Sequence, residues 1–107
     1  MANVQLQPGQ KFAVLNNANL TAGVFTTAFM VAPGYNGGGL IGILNNTGNT
    51  INLSASVDGV NFFPSQVAGA QVSLATNTET AVNLCSALFY AFSSATNITA
   101  GTIWVGR

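Results

Sequence analysis

Apolar and polar residues alternate most regularly between positions 51 and 57, where Ile51, Leu53, Ala55 and Val57 interleave with Asn52, Ser54 and Ser56. A two-residue period belongs to a β-strand with one face buried. Asp58-Gly59 follows at once, and an apolar run resumes at Val60 and ends at Pro64. Asp-Gly favours a type I′ hairpin turn, because both central positions of that turn need positive φ. A two-residue loop pairs Val57 with Val60 and Ala55 with Phe62, turning Phe62 inward and Phe63 outward. A longer loop with a glycine bulge shifts the register by one and exchanges the two rings, and the residues alone leave both open. Either way, one Phe stands on the polar face unless a loop or another subunit covers it.

The same pattern, read along the chain, predicts further strands. Val4 and Leu6 alternate with Gln5 and Gln7 before the Pro8-Gly9 turn. Residues 11–15 are apolar after Lys11, and the cluster Asn16-Asn17-Ala18-Asn19 is expected to close them as a turn. Residues 23–31 hold Val24, Phe25, Phe29 and Met30 among threonines, which predicts a strand. The spacing of Phe25, Phe29 and Met30 also fits one face of a short helix over 22–31. Ala32-Pro-Gly-Tyr-Asn-Gly-Gly-Gly39 reads as a loop bearing Tyr35. Leu40-Ile-Gly-Ile-Leu44 reads as a buried strand in which Gly42 marks a bulge or a close neighbour. Residues 72–75 and 80–84, separated by Thr76-Asn-Thr-Glu79, read as a second hairpin. Residues 87–93, which include Tyr90, are apolar on both faces and belong in the middle of a sheet or at an interface. A final strand over 102–105 sets Trp104 opposite to Ile103 and Val105. The expected fold is all-β: one domain over 1–107, a β-sandwich or jelly-roll-like barrel of about eight short antiparallel strands.

Composition narrows what such a fold does. Only Lys11, Asp58, Glu79 and Arg107 carry formal charge, for a net of zero. Ordinary soluble domains are about a quarter charged. Little electrostatic repulsion therefore separates copies, and the chain is expected to work packed against others. Two cations are too few for nucleic acid. Proline, asparagine and glycine interrupt the uncharged stretch from 12 to 57, so no membrane-spanning apolar run is expected. The first ten residues lack a basic region followed by an apolar run, so no signal peptide is expected and the chain is expected to be made in a cytoplasm.

The catalytic inventory is thin. There is no histidine, and Cys85 is the single cysteine, so it has neither an imidazole to activate it nor a disulfide partner. Asp58 is explained by its turn and Glu79 by a solvated loop. No catalytic residue, cofactor or metal site is expected, and Gly37-Gly-Gly39 lacks the lysine and helix of a phosphate loop.

The hairpin also carries a resemblance. Ser54-Ala-Ser-Val-Asp-Gly-Val-Asn-Phe-Phe-Pro64 resembles a segment of small β-sandwich virion proteins of tailed bacteriophages, in which a serine-rich strand runs into Asp-Gly-x-Asn and an aromatic. Ala100-Gly-Thr-Ile-Trp-Val105 is similar to the Gly-Thr lead-in to the closing strand of such domains. The resemblance implies a capsid decoration (cement) protein located in the virion, a homo-oligomer with a trimer preferred, bound to the major capsid protein of an icosahedral shell. A rival reading is a glycan-binding or host-attachment module, and a third is a head or tail connector component. Candidate interface residues are Tyr35, Phe62, Phe63, Tyr90 and Trp104. Of these, Tyr35, Phe63, Tyr90 and Trp104 are the rings that would stack on sugars under the rival reading. Glycan binding predicts an open patch of exposed aromatics, and cementing predicts aromatics covered between subunits.

Overall fold

A computed structural model describes residues 4–32, 38–67, 69–85 and 88–107. The fold is an all-β sandwich of two facing sheets. Among the described residues twelve strands run in chain order: β1 (Val4–Leu6), β2 (Lys11–Leu20), β3 (Phe29–Val31), β4 (Gly38–Asn46), β5 (Ile51–Ser56), β6 (Phe63–Pro64), β7 (Gln66–Val67), β8 (Ala70–Gln71), β9 (Ser73–Leu74), β10 (Thr78–Cys85), β11 (Phe89–Ser93) and β12 (Ile98–Gly106). The first sheet has the order β1-β3-β11-β5-β6, with β9 also on the edge of β5. The second has the order β10-β4-β12-β2, and β7 and β8 form a small ribbon.

Strand alternation builds the core. Ile51, Leu53 and Ala55 of β5, Tyr90 and Phe92 of β11, and Phe29 and Val31 of β3 face Ile41 and Ile43 of β4 and Ile103 and Val105 of β12. Phe29 is the hub. Its ring lies 5.9 Å from Tyr90, 6.0 Å from Phe92 and 6.1 Å edge-on from Phe12, in the offset and T-shaped arrangements aromatic quadrupoles favour.

Several expectations need correction. The strand count exceeds eight because short edge pieces such as β6 and β9 pair separately, and β1 runs parallel to β3, so the sandwich is not wholly antiparallel. Residues 11–20 form one strand. The asparagine cluster makes a bulge in it, with Asn16 and Asn17 together opposing Thr102, Asn17 at φ 47°, and the Asn17 amide donating to Thr102 Oγ1 at 3.0 Å. The tolerance of Asn for positive φ is used inside a ladder. Of residues 23–31 only 29–31 are strand, and no helix forms there. Thr26 instead docks on β11: its amide donates to the Phe92 carbonyl, and its hydroxyl accepts the Phe92 amide.

Gly42 is neither bulged nor crowded. Its pairing is regular on both sides, and a side chain there would meet only the Gly106 carbonyl at 3.8 Å. The second hairpin does not form, because β9 pairs with β5 in one sheet while β10 pairs with β4 in the other. Residues 75–77 are a crossover between sheets. The apolar segment around Tyr90 does run through the middle of its sheet, between β3 and β5.

Two polar side chains join the sheets at opposite ends of β4. Asn45, fully buried, directs its Nδ2 at the carbonyls of Asn49 (2.8 Å), Leu74 (3.1 Å) and Ala75 (3.1 Å), and its Oδ1 accepts Thr47 Oγ1 at 2.7 Å. Near the other end, Arg107 Nη1 donates to the carbonyls of Leu6 (3.1 Å) and Ala32 (2.8 Å), where β1 and β3 finish.

Candidate binding surfaces

The register at Asp58-Gly59 is the shifted one. Ala55 pairs with Phe63 and Ser54 with Pro64, so β5 ends at Ser56 and residues 57–62 form a six-residue loop. Direct partners share a face, which puts Phe63 on the side of Ala55 and Phe62 on the outer side. The reason lies in Asp58, whose side chain acts as the centre of the loop. Its Oδ1 accepts the Val60 amide (2.8 Å), the Asn61 amide (2.9 Å) and the Ser56 hydroxyl (2.9 Å), and its Oδ2 accepts Asn61 Nδ2 (3.0 Å). The Asn61 and Val60 amides, followed by the Ser56 hydroxyl, hold the Asp58 carboxyl well below the usual carboxylate range. Gly59 takes φ 78° and donates to Ser56 Oγ at 2.9 Å.

This loop folds back over the outer side of β5 and β11. A side chain at Gly59 would begin 3.6 Å from the Phe89 ring, and Ser56 beneath the loop is fully buried. Phe62 stacks on Phe25, with centroids 4.7 Å apart and planes at 27°. The outward ring is thus covered by its own chain. Val57 and Val60, in contrast, are held out at 73% and 76% exposure.

The outer face of the other sheet carries a second surface. Cross-strand pairing sets Glu79, Leu44, Trp104 and Ala13 in one row, and Ala81, Gly42, Gly106 and Lys11 in the next. The first row is a ridge and the second a trench of small residues. A recess of about 600 Å³ opens there, floored by Gly42 and Ala81 and walled by Leu44 and Trp104, with Lys11 and Glu79 at its margins. Trp104 is 42% exposed. Lys11 lays its stem against Gly106, where an added Cβ would come 3.1 Å from its Cγ.

The four charged side chains therefore divide into two pairs. Asp58 and Arg107 are occupied by main-chain hydrogen bonds, while neither Lys11 nor Glu79 makes a side-chain hydrogen bond or an ion pair with a described residue. Both of the unoccupied charges border the recess. Among the described residues no group of three His, Cys, Asp or Glu side chains is placed to hold a metal.

The candidate rings do not converge. Tyr90 is 3% exposed in the core, so it offers no surface to a ligand or a second chain. Phe62 is half-buried under Phe25, and Phe63 is 45% exposed at the edge strand β6. Trp104 stands alone on the opposite sheet, and Tyr35 lies outside the described residues. Sequence reasoning missed Phe25, Val57 and Val60 on one side, and Leu44, Gly42, Lys11 and Glu79 on the other. Alternation through residues 40–44 does place Gly42 and Leu44 on one face, but their grouping with Trp104 and Lys11 depends on strand order. No family model, curated protein or solved structure matches the chain.

Proposed function

We propose that the chain is a non-catalytic structural subunit, a decoration protein that binds as a homo-oligomer, preferably a trimer, to the outside of an assembled virion shell. The observation that carries this reading is the loop over 57–62. Four hydrogen bonds to one carboxylate fix a loop that holds two valines, Val57 and Val60, out to solvent. A loop ordered before binding loses little conformational freedom when its apolar tip is covered, which favours association. The same residues carry the resemblance to tailed-phage virion proteins, and the low charge of the chain removes most of the repulsion between neighbouring copies.

The mechanism is linkage. A subunit that binds the assembled shell and not its dissociated parts stabilises the shell by mass action, about 2.7 kcal/mol per site at a free concentration a hundred times Kd. Several copies on one lattice add avidity without new contacts. Co-sedimentation with purified heads of the phage that encodes the chain tests the reading. The parent chain is expected to pellet with the heads, and the double variant Val57→Asp/Val60→Asp, which alters only exposed positions, is expected to stay in solution with an unchanged melting temperature. Failure of the parent to pellet, or equal pelleting of the variant, would reject it.

A further inference from the structure

Trp104, the only tryptophan of the chain, stands on the sheet opposite to the 57–62 loop and is not used by the reading above. The recess beside it has the size of a small-ligand cleft, about 600 Å³ against roughly 300–1,000 Å³ for such sites. Its floor is open for a structural reason. Gly42 presents no side chain, a Cβ there would meet nothing closer than a carbonyl at 3.8 Å, and the strand is regular on both sides. Neither turn geometry nor packing accounts for a glycine at that position.

The groups around the recess define what fits it. An indole face in a shallow, mostly apolar trench favours a flat ligand with C–H bonds on one side. Lys11 has only donors and the Glu79 carboxylate only acceptors, and they sit on the two outermost strands, β2 and β10, with no ion pair between them. A ligand that spans them must both donate and accept hydrogen bonds along its edges. Ligands of high charge are poorly matched, since one cation and one anion flank the site and the chain is neutral. A purely apolar ligand would strip water from both charges without replacing it. A pyranose ring meets all of these requirements, with an apolar face for the indole and a rim of hydroxyls that donate and accept.

We infer that the recess between Trp104, Gly42 and Ala81 is a saccharide-binding site for neutral hexopyranose units, with the ring stacked on Trp104 and its hydroxyls shared between Lys11 and Glu79. The site is independent of the shell reading, because it lies on the other face of the sandwich and uses none of the loop residues.

The sole indole makes the test direct. The full chain is titrated with the methyl glycosides of glucose, galactose, mannose, rhamnose and N-acetylglucosamine and with their short oligosaccharides, and Trp104 emission is followed. At least one is expected to change the emission saturably, with Kd of about 1 mM or tighter. Gly42→Val, which fills the trench at a position with room for a side chain, is expected to weaken that response at least about tenfold while far-UV circular dichroism and melting temperature match the parent. Glu79→Gln and Lys11→Met are expected to weaken it without shifting the unliganded emission. A flat titration across the panel with folded protein, or Gly42→Val titrating like the parent, would overturn the inference.

Discussion

Asn45 is the residue on which the junction between the sheets depends most directly. Its amide is fully buried and shared among three carbonyls that belong to the β4–β5 turn, to the end of β9 and to the crossover that follows it. Replacing it by alanine removes every one of these donors at once. It also deprives the Thr47 hydroxyl of its Asn45 Oδ1 acceptor, leaving the Asn49 carbonyl as the acceptor for that proton. A buried carbonyl stripped of its donor, as that of Leu74 would be, costs roughly 1–3 kcal/mol, so Asn45→Ala is expected to lower the unfolding free energy by about that amount in a denaturant titration. Asn45→Asp is expected to be no better at neutral pH, because a carboxylate cannot donate to a carbonyl. A loss of less than about 0.5 kcal/mol would mean that the crossover is held by its apolar neighbours, Leu74 foremost. Asn45 lies within a turn-like Asn-Asn-Thr-Gly-Asn run in the sequence, which is why its buried role cannot be read there.

The loop over 57–62 sets the behaviour of its element through Asp58. Because its carboxyl is held below the usual range in the folded chain, its contribution is fully present above the unfolded value of about 4 and is lost as pH falls further. The loop is therefore expected to loosen in acid while the core stays folded. Amide exchange at Val60 and Asn61, measured relative to core amides, is expected to rise as pH drops below about 4. In Asp58→Asn the pH dependence should vanish, and parallel exchange profiles for parent and variant would show that the carboxylate does not order the loop. This element also marks how much the sequence discloses. The alternation from Ile51 to Ala55 and the turn at Asp58-Gly59 are both legible, and so is the all-β class. The register is not legible, since it depends on a carboxylate satisfied within the loop rather than on the two backbone positions of a tight turn. For the same reason Asn16 and Asn17 read as a turn when they form a bulge. The recess was illegible because Gly42, Trp104, Lys11 and Glu79 meet only through the order β10-β4-β12-β2, which no local pattern encodes.

At the scale of the whole molecule, the two surfaces lie on opposite faces of one sandwich and differ in what salt does to them. The face around Val57, Val60 and Phe25 has Asp58 as its only charge, and that charge is engaged within the loop. The face around Trp104 holds Lys11 and Glu79, the two charged side chains left without partners among the described residues. Association through the first face is therefore insensitive to ionic strength or slightly strengthened by it, whereas association through the second pairs charges and weakens as salt screens them. Light scattering at low salt and at about 1 M sodium chloride, where the screening length falls to roughly 3 Å, separates the two. The same oligomer mass is expected in both. Dissociation at high salt would assign self-association to the Trp104 face, where a second copy would occupy the trench proposed for a saccharide, and would withdraw the loop as the assembly surface.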